Sequence, residues 1–351
     1  MKSSLLPLLR CPACHAPGLD PGAPGGAAGA ADLTCAGCGR GYPVVDGVPE
    51  LIAELDHATA HEREARAHKV YDPDYERARP YVEDASRPWL WPAFAANVEQ
   101  GIGLLRGVRG PVLDVGPATC WSTRMLAERG HAAVAVDIST TMLRAGAAQH
   151  AAGVYFERVA GDMRNLPFQD GQFGAVFGSA TVHHAEPLVD VFGEFRRVLR
   201  PGGRIVLVNE PVLGLFGRAD EFGVEDIAHG MNEHVHRLWE YRRAAHAAGL
   251  WMRVLFPESL RRQMAGAAPS PSTAFAIAAR ALGLLPGRLQ AGLLWPAHIL
   301  VGLPLVALFW DNTGANRGTA PALEGSGSQR DWLNRATARC GRYQHGDEDT
   351  Q

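Results

Sequence analysis

From Pro111 onward, short apolar runs alternate with amphipathic stretches of helical length, and no other feature restricts the fold as much. Val112 to Gly116 reads as a strand, Ser122 to about Arg129 as a helix, and Ala132 to Asp137 as the next strand. Phe173 to Gly178 and Arg204 to Val208 supply a fourth and a fifth strand. A β-α-β series of this kind predicts a parallel, doubly wound α/β sheet with helices on both faces. Ligands of such sheets lie beyond the carboxyl ends of the strands, and the loop after the first strand approaches them by its backbone. A carboxylate that ends the second strand is placed to accept hydrogen bonds from ribose hydroxyls. Asp137 stands there, 21 residues past Gly116.

The first 55 residues follow different rules. Cys11-Pro-Ala-Cys14 and Cys35-Ala-Gly-Cys38 are two C-x-x-C pairs separated by 20 residues, inside the spacing of a four-cysteine zinc site. With Cys11, Cys14, Cys35 and Cys38 as ligands, tetrahedral Zn²⁺ keeps no open position, so its role is to staple a module too small for its own core. Disulfides or free thiols are the competing readings. Pro21 to Ala31 is all Gly, Ala and Pro and reads as a flexible loop. Next, Tyr42-Pro-Val-Val-Asp46-Gly47-Val-Pro-Glu-Leu51 sets two apolar stretches around an Asp-Gly turn, as in a small hairpin. Over residues 8–55 this string resembles the zinc ribbon of the tRNA-methyltransferase-activator type. The preceding Leu-rich run, Leu5 to Leu9, is shorter than a secretory apolar region and has no small-residue cleavage site, which predicts a cytoplasmic chain.

The loop Asp114-Val-Gly116-Pro-Ala-Thr-Cys120 lacks a dinucleotide G-x-G-x-x-G and turns the reading from a nicotinamide enzyme toward a methyltransferase. Four stretches carry a resemblance: Leu113-Asp114-Val115-Gly116; Val136-Asp137-Ile138-Ser139 followed by Met142-Leu143; Ala160-Gly161-Asp162-Met163 with Leu166-Pro167-Phe168; and Phe195 to Gly203. In this order and spacing, residues 110–255 resemble the class I S-adenosylmethionine-dependent methyltransferases, particularly the group that includes quinone-biosynthesis C-methyltransferases. The resemblance implies a Rossmann-like seven-stranded sheet and S-adenosylmethionine as cofactor. It implies Gly116 beside the cofactor's amino-acid end, Asp137 on the ribose, and Asp162 with Met163 near the adenine. Asp114, Ala118, Ile138 and Ser179 complete the expected cofactor-side set. The chain departs from the group's D-x-G-x-G-x-G loop at Ala118 and Cys120, and Pro117 stiffens the same loop. A side chain at 120 is expected to narrow the approach to the methionine portion. Cys120 otherwise reads as a packed thiol, and Asp114 has loop geometry as a competing role.

Methyl transfer is an in-line displacement that removes the sulfonium charge, so alignment in a water-poor site is the main requirement. An acceptor hydroxyl or acidic carbon also gains from a base. His183 and His184 follow strand four and are the catalytic candidates, with packing of the site as the competing role. Glu210, after the fifth strand, either orients a substrate hydroxyl or caps local backbone. Asn232, Glu233 and His234 are substrate-side candidates ahead of a helix from Leu238 to Ala248, for which Asn232 is the expected N-cap. The histidines at 229, 234 and 236 lack H-E-x-x-H spacing and read as a substrate-facing loop or solvated helix start.

Residues 56–109 predict a helical lead-in with no legible function. Residues 291–310 carry no charge and have the length of a membrane span, but Pro296 and Pro304 cut the run. The sheet also needs a last strand, which Leu305 to Trp310 can supply. Residues 258–303 then form a helical insertion before that strand, covering the site or docking on a membrane surface. From Asn312 the chain reads as a mobile tail. A formal charge of −3 gives no general pull on nucleic acid. The expected function is methyl transfer from S-adenosylmethionine to a small-molecule, lipid-like or glycan acceptor whose identity these residues do not spell out. An RNA methyltransferase and a non-catalytic scaffold are the alternatives.

Overall fold

The computed structural model describes residues 2–22, 33–68, 71–150, 154–218, 227–228 and 230–311. Most of the Gly/Ala/Pro loop, His229 and the expected tail lie outside the described residues. The amino-terminal module contains a three-stranded antiparallel sheet of β1 (Leu19–Pro21), β2 (Leu33–Cys35) and β3 (Gly41–Tyr42). A hairpin of β4 (Val44–Val45) and β5 (Val48–Pro49) follows. Asp46 and Gly47 both take positive φ, 51° and 76°, the combination that a tight two-residue hairpin turn requires.

This module does not bury its apolar residues by itself. Leu5, Leu9, Cys11, Leu33 and Leu51 share one buried cluster with Leu166 and Phe168 of the larger sheet domain. Backbone hydrogen bonds stitch the seam: Gln169 N to Leu8 O at 2.8 Å, Arg10 N to Pro167 O at 3.1 Å, and Leu51 N to Ala160 O at 2.9 Å. The lead-in is helical, with α1 (His57–Ala67), α2 (Pro73–Ala78) and α3 (Leu90–Gly103). Asp56 caps α1 by accepting from Thr59 N at 2.8 Å, and Asp72 caps α2, which starts on Pro73.

The main sheet has seven strands: β6 (Val112–Val115), β7 (Ala133–Asp137), β8 (Glu157–Ala160), β9 (Phe173–Ser179), β10 (Leu199–Glu210), β11 (Leu250–Val254) and β12 (Leu305–Asp311). Their order is β11-β12-β10-β9-β6-β7-β8, and β12 runs antiparallel to both neighbours. Helices α4 (Trp121–Glu128), α5 (Thr140–Ala145), α6 (Leu188–Val198) and α7 (Leu238–Ala247) connect the strands. The stretch between β11 and β12 holds α8 (Glu258–Met264), α9 (Thr273–Gly283) and α10 (Gly287–Val301). This is the Rossmann-like sheet with a helical insertion before its last strand that the sequence predicts. Pro296 does not cut α10, however. The carbonyl it leaves without a helical donor belongs to Gly292, which is exposed and open to water. From β6 the chain winds to β7 and β8 on one side and returns to β9 and β10 on the other, so a crevice opens at the carboxyl end of β6.

Candidate functional site

The loop leaving β6 has φ of 62° at Gly116, 52° at Ala118 and 64° at Cys120. It therefore keeps a left-handed backbone at three alternate positions although only one is glycine, at a cost of roughly 1–2 kcal/mol for each L residue. A Cβ at Gly116 would stand 1.8 Å from Thr181 Oγ1, so glycine is obligatory there. At Cys120 the twist turns the side chain toward Gly146, whose own Cβ would meet Sγ at 2.6 Å. The thiol is fully buried and does not line the crevice, which corrects the expected narrowing; burial pushes its pKa well up.

Asp137 ends β7 and accepts from Ala118 N at 3.0 Å and Ser139 N at 2.9 Å, tying together the loops after β6 and β7. With Gly116, Ala118 and Ile138 it lines a cavity of about 160 Å³. Asp162, Met163 and Arg164 border the same cavity from the loop after β8, and Ser179, Ala180 and His184 from the segment after β9. Asp114 is not in this wall. Its carboxylate is buried behind it, accepting from the Ser122 and Thr123 hydroxyls at 2.7 Å each, and burial raises its pKa to about 7. Its place is therefore in loop geometry. Asp162 is taken up by Arg164, which donates to it through Nη2 at 2.7 Å and through its backbone N at 2.8 Å. Arg164 also reaches Asp56 and Thr59 Oγ1, holding the amino end of α1 at the crevice.

The helices in which the sequence showed no function close the remaining sides. Glu62 and Arg66 of α1 line the cavity and pair at 2.5 Å. Burial works against the Arg66 charge, but Asp137 and Glu62 outweigh it and raise its pKa. Arg79 sits over the rings of Trp91 and Trp121, 4.8 and 5.4 Å from their centroids, and Phe94 completes this wall. The available signal was the i,i+4 spacing of Glu62 and Arg66, which by itself marks only an ordinary helical ion pair.

The histidines divide into two roles. His183 Nδ1 lies 3.0 Å from Glu210, and its Nε2 lies 3.3 Å from Glu233. Burial disfavours its charge, but the two carboxylates prevail and raise its pKa to about 9. It stands behind the cavity wall. His184 is in the wall, with Nδ1 3.0 Å from the Asn232 carbonyl. A carbonyl only accepts, so Nδ1 carries the proton and Nε2 keeps a lone pair. Burial, reinforced by His183 and Arg66, lowers its pKa well below that of an ordinary histidine, so the ring is neutral.

Glu210 reaches His183 because a bulge between Val208 and Glu210, with Asn209 at φ 59°, redirects the end of β10. Glu210 is fully buried and also accepts from Thr181 N at 2.8 Å and Val182 N at 3.2 Å, which is the backbone-capping role. Asn232 donates from Nδ2 to the His184 carbonyl at 2.9 Å, and the cap of α7 is Arg237 instead. His234 donates its backbone N–H to the His183 carbonyl at 2.9 Å. Thus Glu210, Asn232, Glu233 and His234, read from the sequence as substrate-side residues, instead gather around the histidine pair as its supports, outside the cavity wall. His183, His184 and Glu233 also bring metal-ligand atoms within 4.8 Å of one another, yet the contacts above engage them as donors and acceptors.

In the amino-terminal module the four cysteines converge. Sγ of Cys11 and Cys38 are 3.8 Å apart, and those of Cys14 and Cys35 are 3.5 Å apart. A tetrahedral ion with Zn–S bonds of about 2.3 Å needs sulfur separations of about 3.8 Å, so the donor set fits zinc in chemistry and in spacing. Burial opposes ionisation of Cys11, but hydrogen bonds from the Tyr42 hydroxyl and from the Cys14 and Ala13 backbone bring its thiol down to about 6.

Residues 113–207 match the family described as methyltransferase domain. A demethylmenaquinone methyltransferase of Mycolicibacterium gilvum is 41% identical over 107 residues, 30% of this chain and 45% of that protein. A biotin biosynthesis bifunctional protein of Cellvibrio japonicus is 35% identical over 96 residues, 27% of this chain and 19% of that protein. The chain therefore spans less than half the length of these curated relatives. Among solved structures, geranyl diphosphate C-methyltransferase of Streptomyces coelicolor is similar over 74% of this chain and 100% of that one, with a TM-score of 0.51 at 17% identity, which shows a shared fold.

Proposed function

We propose that this chain is an S-adenosylmethionine-dependent methyltransferase with a small-molecule, lipid-like or glycan acceptor, and that Cys11, Cys14, Cys35 and Cys38 hold a structural zinc ion. The observation that carries the reading is one cavity, at the crevice where strand order reverses, bordered by the buried carboxylate Asp137 and by His184. The match to a methyltransferase domain over residues 113–207 supports the reaction class. The demethylmenaquinone methyltransferases act, by their name, on demethylmenaquinone, which supports a small-molecule or lipid-like acceptor.

When bound, the cofactor supplies an electrophilic methyl group on a sulfonium. The chain's part is to bind, align and remove a proton. Each Asp137 oxygen already accepts one amide and retains a second lone pair for a ribose hydroxyl. Gly116 lets the backbone approach the amino-acid end, while Ile138 and Met163 offer apolar contact toward the adenine. His184 Nε2 takes the proton of an acceptor hydroxyl or acidic carbon. Glu210, Asn232 and Glu233 act as positioning residues for the histidine pair. The cavity, at about 160 Å³, is smaller than the roughly 300–1,000 Å³ of ordinary ligand sites, and Glu62 and Arg66 are among its charged lining side chains.

Calorimetric titration with S-adenosylmethionine and with its demethylated product tests this reading. Saturable binding is expected. Asp137→Asn should weaken it by about 10- to 100-fold, the value of a charge-assisted hydrogen bond, and His184→Asn should leave it within about twofold. A folded wild-type protein that binds neither compound would overturn the proposal.

A further inference from the structure

The hairpin of α9 and α10 lies outside the cavity and breaks the usual rule for helices facing water. A surface helix normally turns polar residues outward. On α10 the outward residues Leu289, Leu293, Pro296 and Leu300 recur at i, i+4, i+7 and i+11, while Leu294 and His298 are buried on the inner side. Between the two helices Leu284 is 87% exposed, and Ile277 of α9 is 65% exposed. Beside α10, Leu215 donates its N–H to the Ile299 carbonyl, and the adjoining Phe216 is 82% exposed.

The charge pattern is equally one-sided. Residues 259–310 contain Arg261, Arg262, Arg280 and Arg288 and no Asp or Glu; Arg261 and Arg262 lie beside Glu258 and Arg262 also beside Glu99, so the cations of the α9–α10 stretch are Arg280 and Arg288. Arg280 and Arg288 are exposed on either side of Leu284. At the β11 edge a hollow of about 310 Å³ is lined by Arg242, Arg243 and His246 together with Trp239 and Trp251. Arg242 connects it to the hairpin by lying 5.5 Å from the centre of the Trp295 ring of α10. Apolar side chains flanked by arginine and indole are the composition of a bilayer interface, where indoles sit at headgroup depth and cations meet phosphate. Self-association suits this face poorly, because two copies would bring Arg280 and Arg288 together with no carboxylate on α9 or α10 to pair them.

We propose that the α9–α10 hairpin is a membrane-docking element that lays its leucine stripe into the surface of a bilayer containing anionic phospholipid. It lies in the surface and does not cross. The 15 residues of α10 reach about 22 Å, short of the hydrocarbon core of about 30 Å. Among the described residues no helix is long and apolar enough to cross a membrane. The docking is independent of the proposed methyl transfer, and the test below requires no cofactor.

The full chain is sedimented with vesicles of phosphatidylcholine alone and of phosphatidylcholine with about 30% phosphatidylglycerol. Saturable binding to the anionic vesicles, weakened by salt, is expected. The double variant Leu284→Ser/Leu289→Ser should lower partitioning by at least about tenfold per leucine, because each loses an inserted side chain. Arg280→Gln/Arg288→Gln should lose about fivefold per arginine on anionic vesicles only. These side chains are exposed, and unchanged thermal melting verifies that each variant folds. Failure of the wild type to bind either vesicle, or equal binding by wild type and the leucine variant, would overturn the proposal. So would a wild-type dimer in velocity sedimentation that the leucine variant abolishes, since the face would then belong to a second copy.

Discussion

The buried histidine behind the cavity offers a quantitative test of the site's electrostatics. His183 is held between Glu210 at the end of β10 and Glu233 in the segment before α7, with His184 packed beside it. Its pKa is raised to about 9, against about 6.5 in the unfolded chain. A histidine raised on folding contributes stability that is fully present below pH 6.5 and is lost as the pH climbs through 9. The gap corresponds to about 3 kcal/mol, to order of magnitude. Replacement by glutamine, His183→Gln, removes the cation and leaves two buried carboxylates facing a neutral amide. Urea unfolding of both proteins across this range, with metal content held fixed, gives the difference in stability. Asp114 and Cys11 titrate in the same window but are common to both chains and cancel. The difference should be largest near pH 6 and shrink by about 3 kcal/mol by about pH 10. A difference that stays constant with pH would show that His183 is neutral in the folded chain, and the charge assignment would fail.

Three further outcomes are expected. Gly116→Ala places a methyl 1.8 Å from Thr181 Oγ1 in a left-handed conformation and should destabilise by about 2–4 kcal/mol in denaturant unfolding, with partial recovery on adding Thr181→Ala. Cys120, buried and with its pKa well up, should resist alkylation by iodoacetamide until the protein unfolds, as read by peptide mapping; rapid labelling of native protein would place the thiol at the crevice after all. Metal analysis should find one zinc per chain, lost in Cys11→Ser/Cys14→Ser, and a folded, zinc-free wild type would remove the ion from the account.

The sheet was legible because β6, β7 and β9 are buried on both faces and so read as continuous apolar runs. Gly116, Asp137, Ile138, Met163 and Ser179 were legible for a related reason: in this topology, position at or just beyond a strand end is enough to bring residues to one crevice. Partnerships that depend on side-chain direction were not legible. The bulge at Asn209 turns Glu210 under the histidines instead of toward an acceptor, and bulges leave little trace in apolar periodicity. The narrowing expected from Cys120 does not occur because a left-handed residue projects its side chain off the usual course, while the reading of Cys120 as a packed thiol agrees with its burial. The contribution of α1 was hidden for want of any local signal beyond an ion pair, since its place at the crevice is set by Arg164, more than a hundred residues away.

The seam between the cysteine module and the sheet binds two chemistries together. The loop from Gly161 to Phe168 carries Asp162, Met163 and Arg164, and the module grips it from both ends. Leu51 holds Ala160, Arg10 holds Pro167, and Asn165 donates to the carbonyl of Pro12, inside the first C-x-x-C pair, at 2.9 Å. A four-cysteine cluster and a cavity wall thus share one short piece of backbone. Whatever free energy an ion contributes by ordering the first C-x-x-C pair is felt at that wall, and by thermodynamic reciprocity a ligand that orders the wall tightens the ion to the same degree. Metal affinity measured with and without cavity ligand is therefore a gauge of how rigid this seam is.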